Sequence, residues 1–501
     1  MESLTTIRPE LLTLSSEQFS ALMPYFWVFG ATVLAILAAV MRSLSPKWPV
    51  ITVVLTGLVG AIVSVAGLLG KEPVALFNGM MVSDNYTHFF SLIFLISGVV
   101  TVFASIRYLD NEAMQHPEYY LLVLFSALGM MLMASSLNLI VIFIALELMS
   151  LAVYILVGYR RTDRRSNEAA VKYFVLGSGA SAVLLYGAAL LYGSTGSIGI
   201  RGILDFVRAN PAALSPTFTL GAWLVIIGFL FKVAAVPFHM WMPDVYEGAP
   251  TPVTGFMATG LKAAAFAAFL RVFVSTGYGA GLTTAIQTHL HDILWMSAVL
   301  TMLFGNLVAL TQTNLKRMLA YSSIAHTGYL LVGMIAGPHS EQGYAPLMTY
   351  LVAYAVMNLG AFVVLSILAT RDDGGLNLHD FSGLSRRHPW LAFAMAVFLF
   401  SLAGIPPTAG FAAKYILFYS AVQANEILLV VISVLCSAIS VYYYLRVLVY
   451  MYMRDPVGTQ TRSPVSVWSA IAVAAMVAAT LQIGVMPARV VYAAKKAITS
   501  I

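Results

Sequence analysis

LIVIFIALELMSLAVYILVGY, residues 139–159, runs for 21 residues with a single charge, Glu147. A helix of about 20 apolar residues crosses roughly 30 Å of bilayer hydrocarbon, so this stretch is long enough to span a membrane. In lipid it must be helical, because each backbone amide and carbonyl has to find its partner within the same segment. The question that decides the rest of the reading is why such a segment keeps an acid at its centre.

Working outward, runs of the same kind recur, and about fourteen are expected. Before it come Leu22 to Met41, Val50 to Leu69, Phe89 to Tyr108 and Tyr119 to Ser135. Beyond it lie Ala169 to Tyr192, Phe218 to Phe238, Val253 to Val274, Leu294 to Leu310 and Met318 to Ala336. Pro346 to Ala369, an interrupted stretch from Trp390 to Ala421, Ile427 to Met453 and Val465 to Ile483 complete the set. Composition agrees: 60% of the 501 residues are hydrophobic, 10% are charged, and mean hydropathy is +0.87. Soluble domains carry nearer a quarter charged residues, so a soluble fold is excluded. The fold class expected is an all-α integral membrane protein.

The opening MESLTTIRPELLTLSSEQFS lacks a basic start and a small-residue cleavage site, so the first span is expected to be retained rather than removed as a signal peptide. Cys436 is the single cysteine, which leaves no disulfide framework and no thiolate set for zinc or an iron–sulfur cluster. No metal site and no cofactor are expected in this chain, and redox chemistry, if coupled to it, belongs elsewhere.

Basic residues in short loops favour the cytoplasmic side. One set of loops holds Arg42, Lys47, Arg107, Arg160, Arg161, Arg164, Arg165, Lys316, Arg317, Arg371, Arg386, Arg387, Arg454 and Arg462. The opposite set holds Arg8, Lys71, Arg201, Arg208, Arg489, Lys495 and Lys496. With an even number of spans, both termini are expected outside the cytoplasm. This bias accounts for most of the net charge of +6, so no nucleic-acid partner is implied. The partner implied is the lipid bilayer.

Four charges interrupt the apolar runs: Glu147, Lys232 in LVIIGFLFKVAAVPFHMW, Lys262 in VTGFMATGLKAAAFAAFL and Lys414 in GIPPTAGFAAKYILFYSAV. An unpaired charge at mid-membrane costs about 3 kcal/mol on insertion scales, so these groups should face a polar interior and be paired. Taken singly, a membrane lysine can instead snorkel to the interface or tie two helices together, and Glu147 can be a structural ion-pair partner. One acid with three bases suits proton movement better. Desolvation favours the neutral amine while a nearby carboxylate favours the ammonium, so a changing Glu147–Lys232 separation switches the lysine between holding and releasing a proton.

Helix breakers mark the same places. Pro237 follows Lys232 by five residues, and Gly404, Pro406, Pro407 and Gly410 precede Lys414. Proline inside a span frees carbonyls that are tolerated only within protein or beside water. One broken, lysine-bearing span in each half points to an inverted-repeat transporter. His239 and His326 are secondary candidates for proton shuttling, against plain packing for His239. Lys172, at the start of the sixth span, belongs either to the polar axis or to the cytoplasmic face. The loop RRTDRRSNE, Arg160 to Glu168, reads as an orientation signal and a partner or lipid contact. Arg271 and Arg446 read as interfacial.

Three further stretches carry a resemblance: FKVAAVPFHMWMPDVYEGAPTPVTGFMATGLKAAAF from Phe231 to Phe266, NLKRMLAYSSIAHTGYLLVG from Asn314 to Gly333, and AGIPPTAGFAAKYILF from Ala403 to Phe418. With LELMSLAVYILVGY and EAAVKYFVLGS, they resemble the subunit N family of bacterial respiratory complex I, relatives of the membrane subunits of multi-subunit cation/proton antiporters. The resemblance covers nearly the whole chain. It implies fourteen helices, with helices 1–3 in residues 1–117 and two inverted five-helix bundles in residues 118–276 and 292–453. Residues 454–501 would hold helix 14 and the tail, and helices 7 and 12 would be broken. It also implies roles: Glu147 tunes Lys232, Lys262 bridges two half-channels, and Lys414 lies in the broken twelfth helix.

The function so implied is a proton-translocating subunit of an NADH:quinone oxidoreductase in a bacterial inner membrane. Its partners would be other membrane-arm subunits, including paralogous antiporter-like ones, and the whole complex would use NADH, FMN, iron–sulfur clusters and a quinone. The other readings are a cation/proton antiporter subunit, a membrane subunit of a hydrogenase or ferredoxin-driven complex, and a scaffold with vestigial charges.

Overall fold

The structure, a computed structural model, describes residues 14–40, 47–210, 214–275, 285–456 and 465–500. Arg8, Arg42 and Arg462 of the basic-loop pattern, and the end of the first expected span at Met41, lie outside the described residues. Twelve described helices are long and apolar enough to cross a bilayer. Two further spans are each made of two shorter pieces, which brings the chain to the fourteen expected.

Spans 1 to 3 are Ser16–Val40, Lys47–Leu68 and Asn85–Asn111. Spans 4 to 6 are Pro117–Ser135, Leu139–Val157 and Arg164–Thr195. Span 7 consists of Pro216–Lys232 and Met242–Gly248, and span 8 runs from Thr251 through a π-helical turn, Met257–Leu261, into Lys262–Ser275. Spans 9 to 11 are Ala285–Ala309, Leu315–Ala336 and Ala345–Leu368. Span 12 consists of Pro389–Ala403 and Ala409–Gln423, and spans 13 and 14 are Ile427–Met453 and Val467–Val485. The helix expected to reach Phe238 stops at Lys232, because Pro237 cannot donate the amide that would continue it.

A repeat invisible in the letters appears in the backbone. Asn138 caps span 5, and the strand-like pair around it is Leu139 N to Ile198 O at 3.0 Å with Ile200 N to Leu137 O at 2.9 Å. Asn314 caps span 10 in the same way, with Leu315 N to Leu376 O at 2.9 Å and Leu378 N to Thr313 O at 2.8 Å. In each case an asparagine opens the second helix of a bundle and pins the segment that follows the third. Five spans separate the two anchors, an odd number, so the second bundle enters from the opposite face and is inverted.

Three smaller elements escaped the sequence reading: an amphipathic helix Ile200–Ala209, a C-terminal helix Ala488–Ile498, and a hairpin pairing Val74–Leu76 with Met81–Ser83. All are short or half polar, so no span-length window detects them.

The ends of spans 3, 5, 8, 10 and 11 meet at one acid. Asp373, after span 11, accepts from Arg160 at 2.6 Å, Lys316 at 2.7 Å, Tyr108 at 2.7 Å and Thr251 at 2.9 Å. Those four donors come from the ends of spans 3, 5, 8 and 10. Burial pushes the Asp373 carboxyl up, but the Lys316 and Arg160 cations outweigh it and hold the group below the usual carboxylate range. Arg160 and Lys316, read as orientation charges, are therefore also buried structural partners.

Arg271 is a buried structural residue. It is about 1% exposed and forms a two-pronged pair with Asp84 at 2.9 and 3.0 Å, stacked over the Tyr86 ring. Asp84 also caps span 3 through the amide of Thr87, so one carboxylate joins spans 3 and 8.

Candidate functional site

The three mid-span lysines are 8%, 3% and 5% exposed, in chain order, which removes the snorkelling alternative for all of them. None forms an ion pair within 4.0 Å among the described residues. The polar surroundings expected of them are supplied by hydroxyl and carbonyl oxygens, which hold the ammonium groups.

Proline decides which carbonyls are available. In an α-helix the carbonyl of residue i takes the amide of residue i+4. Pro406 and Pro407 have no amide hydrogen, so the carbonyls of Leu402 and Ala403 lose their donors. Lys414, from the second half of span 12, supplies them at 3.0 and 3.1 Å and gives its third hydrogen to Ser437 of span 13 at 2.9 Å. Its ammonium also lies 5.4 Å from the centre of the Tyr329 ring. A cation is thereby placed at the carbonyl end of the half-helix Pro389–Ala403, where the helix dipole favours positive charge.

Pro237 does the same to the carbonyl of Val233, the residue after Lys232. That oxygen accepts from the Thr327 hydroxyl of span 10 at 2.8 Å. The rest of the break is held by span 9: Val236 N donates to Thr301 at 2.9 Å and Ser297 donates to Val236 O at 3.0 Å.

Lys262 follows directly on the π-helical turn, a local widening that recurs at functional positions. Its ammonium donates to Ser323 O at 2.6 Å, to the Ser323 hydroxyl, and to Thr327 Oγ1 at 3.0 Å. Tyr354 donates to that same Ser323 hydroxyl at 2.8 Å and receives Asn358 at 2.9 Å. One turn on, His326 Nδ1 meets the Tyr350 hydroxyl at 2.6 Å and Nε2 the Tyr444 hydroxyl at 3.4 Å. Tyr444 closes the series onto Ser322. A polar stripe of span 10, Ser322, Ser323, His326 and Thr327, therefore joins Lys262 to the tyrosines of spans 11 and 13.

Lys232 is held least. It donates to Ser150 at 3.1 Å and, at the 3.5 Å limit, to Tyr154, both on span 5. Glu147 is one turn before Ser150 on the same face of that helix, and its Oε1 is buried without a hydrogen-bond partner. Glu147 and Lys232, the pair singled out from the sequence, thus both keep unspent bonding capacity and make no direct hydrogen bond or ion pair with each other.

The secondary candidates separate. His326 joins the buried network. His239 packs its ring 4.5 Å from that of Phe304. Lys172 is half exposed and ion-paired to Glu168 at 2.7 Å and Asp244 at 2.9 Å. Asp244 and Glu247 also hold Arg317, and the two acids line a polar cleft with Arg165, Glu168 and Lys172. The sequence reading missed the hydroxyls, Ser150, Tyr154, Ser323, Thr327, Tyr354 and Ser437. Two of them, Ser323 and Thr327, carry a signal, as polar residues at helical spacing inside the most buried span.

The family described as NADH:quinone oxidoreductase/Mrp antiporter, transmembrane, matches residues 136–440, which contain both breaks and all four mid-span charges. A protein named NADH-quinone oxidoreductase subunit N from Trichlorobacter lovleyi is 45% identical over 447 residues, 89% of this chain and 89% of its own length. A chain of respiratory complex I from Thermus thermophilus superposes with a TM-score of 0.78 at 36% identity, covering 94% of this chain and 98% of that one. A chain of the Mrp complex from Dietzia has a TM-score of 0.81 at 20% identity over 97% of each chain, a likeness of fold alone.

Proposed function

Because the chain belongs to the subunit N branch of the NADH:quinone oxidoreductase/Mrp antiporter family, we propose that it is a membrane-arm subunit of an NADH:quinone oxidoreductase and moves protons along its buried lysines. Quinone reduction takes place in other subunits, which hold the NADH, FMN, iron–sulfur and quinone sites. Residues 118–276 and 292–453 serve as the two half-channels, Lys262 joins them, and both termini face away from the cytoplasm.

The observation that carries this reading is the arrangement of three buried ammonium groups on neutral oxygens beside one unpartnered carboxylate. A structural ion-pair lattice would match each cation with an acid, as Asp373 and Asp84 do elsewhere in this chain. Here each lysine can change its proton occupancy without leaving an unmatched counter-charge, and hydroxyl acceptors bind either form. Glu147 supplies the movable charge: bringing it nearer to Lys232 favours the ammonium, and separating them favours release. Released protons pass to Lys262, then along the span 10 stripe with His326, towards Lys414.

The test is proton uptake per quinone reduced in membrane vesicles carrying Lys262→Ala, after the complex is verified to assemble. The expected result is loss of uptake. Normal stoichiometry rejects the path.

A further inference from the structure

We infer that Thr327 is a positioning residue that ties the ammonium of Lys262 to the broken turn beside Lys232. The inference rests on the proton path proposed above and adds a residue that links its two first lysines. Lys262 donates to Thr327 Oγ1 at 3.0 Å, and the Thr327 hydroxyl donates onward to the carbonyl of Val233 at 2.8 Å. That carbonyl is the one Pro237 leaves without an amide, and its residue is the neighbour of Lys232 in the chain.

A threonine inside a helix ordinarily spends its hydroxyl on the carbonyl four residues back. For Thr327 this is Ser323 O, 3.2 Å away, but that oxygen already receives Lys262 at 2.6 Å. The hydroxyl has both oxygens within reach, the shorter contact is the one across to span 7, and Lys262 competes for the local acceptor and polarises the threonine.

A charged donor strengthens the hydrogen bond that its acceptor makes in turn. With Lys262 protonated, the grip on Val233 is firm, and loss of that charge loosens it. The broken turn at Lys232 thus senses the proton on Lys262, and by thermodynamic reciprocity its geometry biases that proton in return. No proton travels this way, because a backbone carbonyl is a dead end, so Thr327 acts through its neighbours. In span 12 Lys414 holds the proline-freed carbonyls itself. Lys262 lies on span 8 and the break on span 7, and Thr327 of span 10 bridges them.

The experiment measures protons taken up per quinone reduced in vesicles containing the assembled complex with Thr327→Val, Thr327→Ser or Lys262→Ala. Thr327→Val keeps the shape without the hydroxyl and is expected to lose coupled uptake, and Thr327→Ser to retain it. Parental uptake in Thr327→Val, with Lys262→Ala inactive, overturns the inference, as does loss of uptake in Thr327→Ser. Parental uptake in Lys262→Ala instead overturns the path itself. Should Thr327→Val fail to assemble, Thr327→Cys decides: its weak donor is expected to reduce uptake, and parental uptake contradicts the role.

Discussion

The ammonium of Lys414 lies 3.1 Å from the carbonyl oxygen of Ala403, an oxygen whose helical donor would have come from residue 407, a proline. A cation here does the work of two missing amides, at Leu402 and Ala403. Lys414→Ala leaves both buried oxygens unpaired, at about 1–3 kcal/mol each. We predict a lower melting temperature of the purified complex together with lost proton uptake. Because a carbonyl needs only a donor, Lys414→Gln is expected to recover stability and not uptake. If it recovers both, the lysine is only a plug for the break.

The two halves of span 12 approach closely at Gly410, where an added Cβ collides with the Ser401 carbonyl. The Gly410 amide also donates to the Ser401 hydroxyl at 2.9 Å. Gly410→Ala must displace backbone rather than a flexible side chain. The expected outcome is failure of the subunit to accumulate in the membrane, read by immunoblot. Normal accumulation with normal pumping contradicts the packing described.

Asp373 joins loops from both bundles while its carboxyl is held below the ordinary range by Lys316 and Arg160. A lowered folded value means stability that is present above the unfolded carboxylate value of about 3.9 and is lost as pH falls through the lower folded value. The melting temperature should therefore include this contact in full at neutral pH, where it does not vary with pH on its account, and should lose it only in strong acid. Asp373→Asn leaves two buried cations facing a neutral group, at about 3–5 kcal/mol, and should remove that acid-dependent step. A variant that melts like the parent argues against the hub.

Asp84 and Arg271 meet through two parallel hydrogen bonds, a geometry that suits guanidinium and not ammonium. Arg271→Lys is predicted to destabilise nearly as much as Arg271→Met, on the order of 3 kcal/mol, the usual scale for breaking a buried pair. Thermal unfolding followed by circular dichroism checks this, and a fully stable Arg271→Lys shows that charge alone is enough.

Sequence made the spans legible because twenty apolar residues in a row admit one structure in lipid. It also exposed the chemistry at Glu147, Lys232, Lys262 and Lys414, since a charge in such a run must have a reason. The means of holding those charges was not legible. Ser150 and Thr327 are unremarkable letters; Ser150 matters because Lys232 reaches it from span 7, and Thr327 because Pro237 releases the Val233 carbonyl opposite it, both consequences of three-dimensional approach. The pairing of Arg271 was hidden for a related reason: its partner, Asp84, is 187 residues away in sequence. The repeat was hidden because it is conserved in backbone pairing around Asn138 and Asn314 rather than in side chains.

The central claim is tested most directly by NADH-driven quinone reduction and proton uptake in membranes carrying Lys232→Ala, in which the complex is first verified to be assembled. The account predicts loss of both, since Lys232 with Glu147 is the switch that couples them. Unchanged quinone reduction with unchanged uptake contradicts it, and would make the buried lysine beside Ser150 and Tyr154 a structural feature of span 7.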